Sequence, residues 1–256
     1  MAILKDTVPV YFPKEDQIIS KYIDLTKFLS LLSKKSLFFC RLDKLEDQFE
    51  GMTASRNYDH RINWYRETNH LMEKPLNDEE IIRRVEHLYE YDKKIKEVYC
   101  VCCWNKADQE NAALWKIYSD FGKGIMIKSK VSNLINALRE TPQEIWISEI
   151  KYLDYVKDLM KDGNTFYPII HKQNAYDNEG EIRLIYNVDF PQLGKTYDWS
   201  KEEIKEGKLL SVDLNLLIDE IIVGPLSPKW MTDLIIELAD KYDLKKPVVK
   251  SKLSFS

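Results

Sequence analysis

Histidine and cysteine are scarce in this chain, four of each in 256 residues, and their placement withholds the usual zinc chemistry. Zinc sites pair Cys-x-x-Cys with a second such pair or with histidines at helix spacing. Here Cys40 ends one apolar run, while Cys100, Cys102 and Cys103 crowd into Tyr-Cys-Val-Cys-Cys-Trp. His60, His70, His87 and His171 are scattered, so no structural metal is expected. Reduced thiols in such runs behave as small hydrophobes; a nucleophilic cysteine would lack a histidine close in sequence. Long apolar runs are missing too: none reaches the ~18 residues that span a bilayer. The opening Met1–Thr7 lacks the basic and apolar regions of a signal peptide. A soluble, cytoplasmic protein without a membrane partner is the expectation. Positive charge is not in excess either, with 38 Lys and Arg against 42 Asp and Glu. The resulting net charge of −4 argues against a nucleic-acid wrapper, though a local basic patch is compatible with it. Repeats, low-complexity tracts and linkers are absent.

What is present reads as one domain, with ample chain for a core. Residues 1–17, holding Pro9 and Pro13, read as an extended arm. Asp24 caps a predicted helix with the stripe Leu25, Phe28, Leu29 and Leu32, followed by a strand Leu37–Cys40. The loop Arg41–Gly51 is dense in carboxylates, and Leu42, Leu45 and Phe49 predict that it folds back on the body. Residues 52–98 predict a helical insertion, in which Asn77-x-x-Glu80 forms a capping box before the stripe Ile81, Ile82, Val85, Leu88 and Ile95. Tyr99–Trp104 and Trp146–Tyr152 read as strands, as do Leu209–Asp213, Ile221–Val223 and Val248–Lys250. Asp108 is placed to cap a helix through Ala112, Leu114, Trp115 and Tyr118, Ser132 to cap another, and Ser227-Pro228 to open a last one. Asp198–Gly207 reads as a charged surface segment. Strands and helices alternate without regular spacing, which predicts an α+β domain with a mixed or antiparallel sheet flanked by helices.

The segment Tyr176–Tyr186, Tyr-Asp-Asn-Glu-Gly-Glu-Ile-Arg-Leu-Ile-Tyr, draws attention. Read as a strand, it puts Glu179, Glu181 and Arg183 on one face and Ile182, Leu184 and Tyr186 on the other, toward a core. Two carboxylates so spaced suit an enzyme that needs one to polarise a substrate and another to assist. They equally suit a solvated strand carrying an ion pair.

Three blocks in order resemble a known family. Ser36–Gly51 is similar to the opening signature of a bacterial domain-of-unknown-function family, twenty-nine seventy-one, with Gln48 where that signature has proline. Cys103-Trp104, Asn111–Tyr118 and Gly124-Ile-Met-Ile resemble its middle block. Lys151–Tyr155, His171-Lys172 and Glu179-x-Glu181-x-Arg183 resemble its last. The resemblance spans roughly residues 18–250 and brings no settled activity. The Glu-x-Glu is in turn similar to that of arginine-modifying ADP-ribosyltransferases. This second resemblance implies NAD as cofactor, Glu181 on the nicotinamide ribose stabilising an oxocarbenium-like state, and Glu179 orienting or deprotonating the acceptor. Arg41, Asp47, Trp115, Tyr118 and Arg183 become the candidate cofactor-binding residues, with Lys21-Tyr22 and Ser119 as further stand-ins. An early Arg or His strand and a Ser-Thr-Ser are missing. A toxin or antiphage role is compatible with such chemistry, though no residue requires it, and the acceptor, small or macromolecular, is left open.

Two other readings stand beside it. Asp43, Asp47, Glu149 or Glu181 around magnesium, with Lys151 assisting, would make a metal-dependent nuclease. An acidic loop beside an aromatic pocket would make a non-catalytic ligand-binding or regulatory module. Trp104, Trp115 and Tyr118 serve that pocket or simply the core.

Overall fold

A computed structural model describes residues 3–4, 8–106, 109–118, 122–188 and 204–253. In chain order its strands are β1 (Ile3–Leu4), β2 (Ile18–Asp24), β3 (Ser36–Arg41), β4 (Tyr99–Lys106), β5 (Gly124–Lys130), β6 (Ile145–Glu149), β7 (Lys151–Leu153), β8 (His171–Gln173), β9 (Glu181–Asn187), β10 (Gly207–Ser211), β11 (Glu220–Val223) and β12 (Val248–Lys250). The helices are α1 (Leu25–Lys34), α2 (Ser55–Thr68), α3 (Asp78–Ile95), α4 (Ala112–Tyr118), α5 (Val131–Ala137), α6 (Phe166–Ile169), α7 (Leu214–Leu217) and α8 (Lys229–Lys241). Ten strands form one mixed sheet, and β7 and β8 pair separately. Pairing is parallel at β1/β6, β11/β12 and β7/β8 and antiparallel elsewhere. This is the expected α+β architecture. Among the described residues no helix is long and apolar enough to cross a membrane. Asp108, Ser119 and most of the charged segment 198–207 lie outside the described residues.

The sheet forks at β4. One edge of β4 pairs along its length with β9, from Tyr99↔Asn187 to Asn105↔Glu181. The other edge serves two strands: β3 takes Cys100 and Val101, while β2 takes Asn105 and Lys106. Between the prongs the Lys21 ammonium donates to the Cys103 carbonyl at 2.7 Å, which answers a backbone acceptor that no strand reaches. Strand β9 sits between β4 and β6 and is buried along its whole length. Its Ile182, Leu184 and Tyr186 enter the main core, as their alternation predicts, against Phe28, Leu134, Leu217 and Ile235 of the helices on that face. Its Ile185 faces a second core with Leu42, Tyr99, Trp146 and Phe166, where Phe166 meets Tyr99 and Trp146 edge-on at 5.4 and 5.0 Å.

Local signals explain most boundaries. Asp24 accepts from the Lys27 amide at 2.8 Å, and Asn77 and Glu80 close the capping box. Several expectations are corrected. In α1 the buried stripe is Phe28, Leu31 and Leu32, and Leu29 faces out. Helix α5 begins at Val131 with Lys130 at the cap position. Carbonyls of the N-terminal arm take the Val131 and Ser132 amides, and Ser132 lies inside the first turn rather than at the cap. At α8 the cap position falls on Pro228 itself. The segment read as one strand, Trp146–Tyr152, breaks at Ile150, whose amide turns to the Glu181 carbonyl at 2.9 Å. The helical insertion is α2 packed on α3, pinned to the body where the buried Asn57 side chain exchanges two hydrogen bonds with Met160, at 2.8 and 2.9 Å.

Candidate functional site

The face of β9 opposite the main core carries charge. Glu181 and Arg183 point there together, and the second core's own elements cover them: Arg183 is 0 % exposed and Glu181 2 %. Burying unpaired charge costs several kcal/mol per ion, about enough to unfold a domain if left unanswered, so partners must be close. Arg183 Nε donates to Glu181 Oε1 at 2.7 Å and Nη2 to Oε2 at 3.0 Å, a two-pronged pair. Its Nη1 donates to the Ile169 carbonyl at 2.7 Å, and Nη2 also reaches Glu50. The Lys172 ammonium lies 2.8 Å from Glu179, 3.6 Å from Glu181 and 3.8 Å from Glu50, with the Tyr176 ring 4.5 Å away.

These five side chains reach the cluster from separate parts of the chain. Glu50 comes from the acidic loop, which folds back through fully buried Leu42 as expected. Phe49, expected to pack, is instead 58 % exposed, because the turn that buries Glu50 rotates its neighbour outward. Gly51 completes that turn at φ 76°, where a Cβ would meet Leu42 at 2.6 Å. Lys172 comes from β8. Glu179 does not lie on the strand with Glu181. It ends a 3-10 turn, Asn174–Glu179, and Gly180 at φ 50° redirects the chain into β9. The turn is held by Asn105 donating to the Glu179 carbonyl at 3.0 Å and by the Lys106 amide on the Gly180 carbonyl at 2.8 Å.

The electrostatics sort the carboxylates by depth. Burial works against the Glu181 carboxylate, but Arg183 and Lys172 outweigh it and hold the group down at about 2. The Cys103 thiol adds a hydrogen bond to it and is itself pushed well up by burial and by Glu181, so it is no ready nucleophile. Burial raises Glu50, with the Glu181 charge adding to the rise and Arg183 opposing it. Burial disfavours the Lys172 ammonium, yet the three carboxylates raise it above the lysine range. Tyr152 accepts the Glu181 amide at 2.8 Å, and burial pushes its hydroxyl up to about 12. Glu179 is the outermost member. Its Oε1 accepts from the Tyr118 hydroxyl at 3.4 Å, and Tyr118 is 41 % exposed. Burial and the Glu179 charge raise that hydroxyl, which keeps it a donor.

The structure thus brings Tyr118, Glu179, Glu181 and Arg183 together and draws in Glu50 and Lys172, to which the sequence reading gave no role. The remaining candidates make their contacts elsewhere. Arg41 grips Asp43 at 2.6 and 2.8 Å and the Ile204 carbonyl at 2.8 Å. Asp47 accepts the Phe49 amide at 2.9 Å within its own turn. Trp115 packs edge-on against Tyr22 at 4.9 Å and donates to Glu110 at 2.9 Å; with Leu114, Met126 and Ile222 it forms a third small core. Trp104 is wholly buried in the main core. Glu149 is engaged by Lys106 at 2.7 Å and Lys151 at 3.5 Å. Among the described residues no group of three or more His, Cys, Asp or Glu side chains is arranged to hold a metal ion. Glu50 was legible as the last carboxylate of the acidic loop, but only its pairing with Arg183 across the fold reveals its place.

No model of a known protein family matches the chain, and neither does any curated protein. The resemblance of the three blocks rests on those residues alone.

Proposed function

We propose that the chain is an NAD-using, ADP-ribosyltransferase-like enzyme in which Glu179, rather than Glu181, is the carboxylate that meets the ligand. One observation carries this reading: Glu179 forms the outer end of a preorganised ion cluster and shares a hydrogen bond with an exposed tyrosine. Loss of nicotinamide from NAD builds positive charge on the ribose carbon, and a fixed carboxylate in a site with surplus negative charge favours that state over the ground state. Lys172 and Tyr118 hold the Glu179 carboxylate in place before the ligand arrives. Glu181 acts behind it as a positioning residue, because its oxygens are occupied by Arg183. The cluster's own residues do the orienting and the charge stabilisation; NAD supplies the bond that breaks.

A second reading has support of its own. Saturation of Glu181 by Arg183 leaves Glu179 as the one outer carboxylate where the resemblance implies two, which favours a module that binds a cationic ligand without turnover. Release of nicotinamide from NAD, followed with candidate acceptors, separates the two. The enzyme releases it and Glu179→Gln stops the release; the module raises its melting temperature with the ligand and releases nothing.

A further inference from the structure

The ion cluster does not balance. Glu50, Glu179 and Glu181 bring three carboxylates within 3.8 Å of two cations, Lys172 and Arg183. All five are buried, so water does little to dissipate the surplus charge. The partners decide which carboxyl gives way. Glu181 holds Arg183 through both oxygens, and Glu179 has Lys172 at 2.8 Å. Glu50 shares one end of the Arg183 guanidinium with Glu181 and meets Lys172 only at 3.8 Å, and burial raises its carboxyl. Other titratable groups facing it do not settle the account. Cys103 and Tyr155 stay neutral, since burial raises both. Lys96 donates to the Gln48 carbonyl at 3.0 Å and answers Asp43 and Asp47 as well as Glu50.

We propose that Glu50 holds one proton while the site is empty and releases it when a cation binds beside Glu179. This rests on Glu179 being the ligand-facing carboxylate. The exchange balances: a monocation enters, the Glu50 O–H bond breaks, its proton passes to solvent, and the total charge of the cluster is unchanged. Lys172 makes the exchange possible because it touches both ends. A cation on Glu179 frees the ammonium to turn toward Glu50, where it stabilises the carboxylate just formed. The ligand class follows: a permanent organic monocation such as a pyridinium, in preference to its neutral analogue.

Titration calorimetry at about pH 7, repeated in two buffers of different ionisation enthalpy, counts protons released on binding. With 1-methylnicotinamide as the probe and neutral nicotinamide as the control, the wild type should release about one proton per cation bound. Glu50→Gln, which imitates the protonated side chain, should bind the cation and release none. Equal release by that variant, or binding to the wild type without release, overturns the exchange alone. Failure of the cation to bind overturns the reading of Glu179 and the exchange with it. The proton itself is read without ligand. A carboxyl raised by folding loses stability as pH climbs, so the wild type should lose stability relative to Glu50→Gln as pH rises above the ordinary glutamate value of about 4.3. A constant difference between the two proteins above that value would show Glu50 already ionised and overturn the proposal.

Discussion

Arg183 and Glu181 stand two residues apart on β9, point to the same face and share two hydrogen bonds of 2.7 and 3.0 Å inside the protein. Removing one member of such a pair strands the other charge without water, which costs about 3–5 kcal/mol. Arg183→Gln should lose stability in that range and Glu181→Gln toward its lower end, because Glu50 still answers Arg183. The double variant should lose less than the sum, because the second change removes the stranded charge. Denaturant melts of the four proteins measure the coupling. Additive losses would show that the pair does not act as a unit.

Acid should unfold the protein partly through this pair. The folded Glu181 carboxyl lies at about 2, well below the usual carboxylate range. Its contribution is therefore complete above about pH 4.5 and lost as pH falls toward about 2, on the order of 3 kcal/mol. Melts of the wild type over that window should show a steeper acid loss than Glu181→Gln. Parallel acid limbs would show that Glu181 titrates normally in the folded chain.

Trp115 should answer to stability and not to ligand. Its indole N–H rests on Glu110, and the same carboxylate takes the Lys252 amide at 2.8 Å and the Ser251 hydroxyl. Glu110→Ala should cost about 1–3 kcal/mol and leave nicotinamide release by the folded fraction unchanged. A loss of release at constant stability would return Trp115 to the ligand site.

The fold was legible where one signal acted alone. Asp24, the Asn77–Glu80 box and the alternation of Ile182, Leu184 and Tyr186 act over a few residues and came out as read. Signals that depend on distant chain misled. Ser132 has the right chemistry for a cap, yet carbonyls of the N-terminal arm take the Val131 and Ser132 amides and the helix starts one residue before it. Glu179-Gly-Glu181 reads as continuous strand, but glycine permits a left-handed turn between the carboxylates. That turn separates a buried glutamate from an outer one, a distinction spacing cannot give. Glu50 meets Arg183 and Lys172 only once the loop and β8 have folded over the sheet, and no local pattern announces a contact of that range.

Glu179 should be separable from Glu181 by stability. Its carboxylate keeps one ion-pair partner within 3 Å, Lys172, and Glu179→Gln retains the side-chain shape. The expected cost is about 1–2 kcal/mol, smaller than for Glu181→Gln, by the same denaturant melts. A loss as large as that of Glu181→Gln would place Glu179 among the structural ion pairs.

The most direct measurement is nicotinamide release from NAD by the wild type and by Glu179→Gln, both shown to be folded at the assay temperature. The wild type should release nicotinamide, and the variant should fall by at least about 100-fold, as when a charge-stabilising group is lost from a transition state. Release by the variant at the wild-type rate, or none by the wild type with any acceptor, would contradict the assignment of Glu179 as the carboxylate that meets the ligand in an NAD-using enzyme.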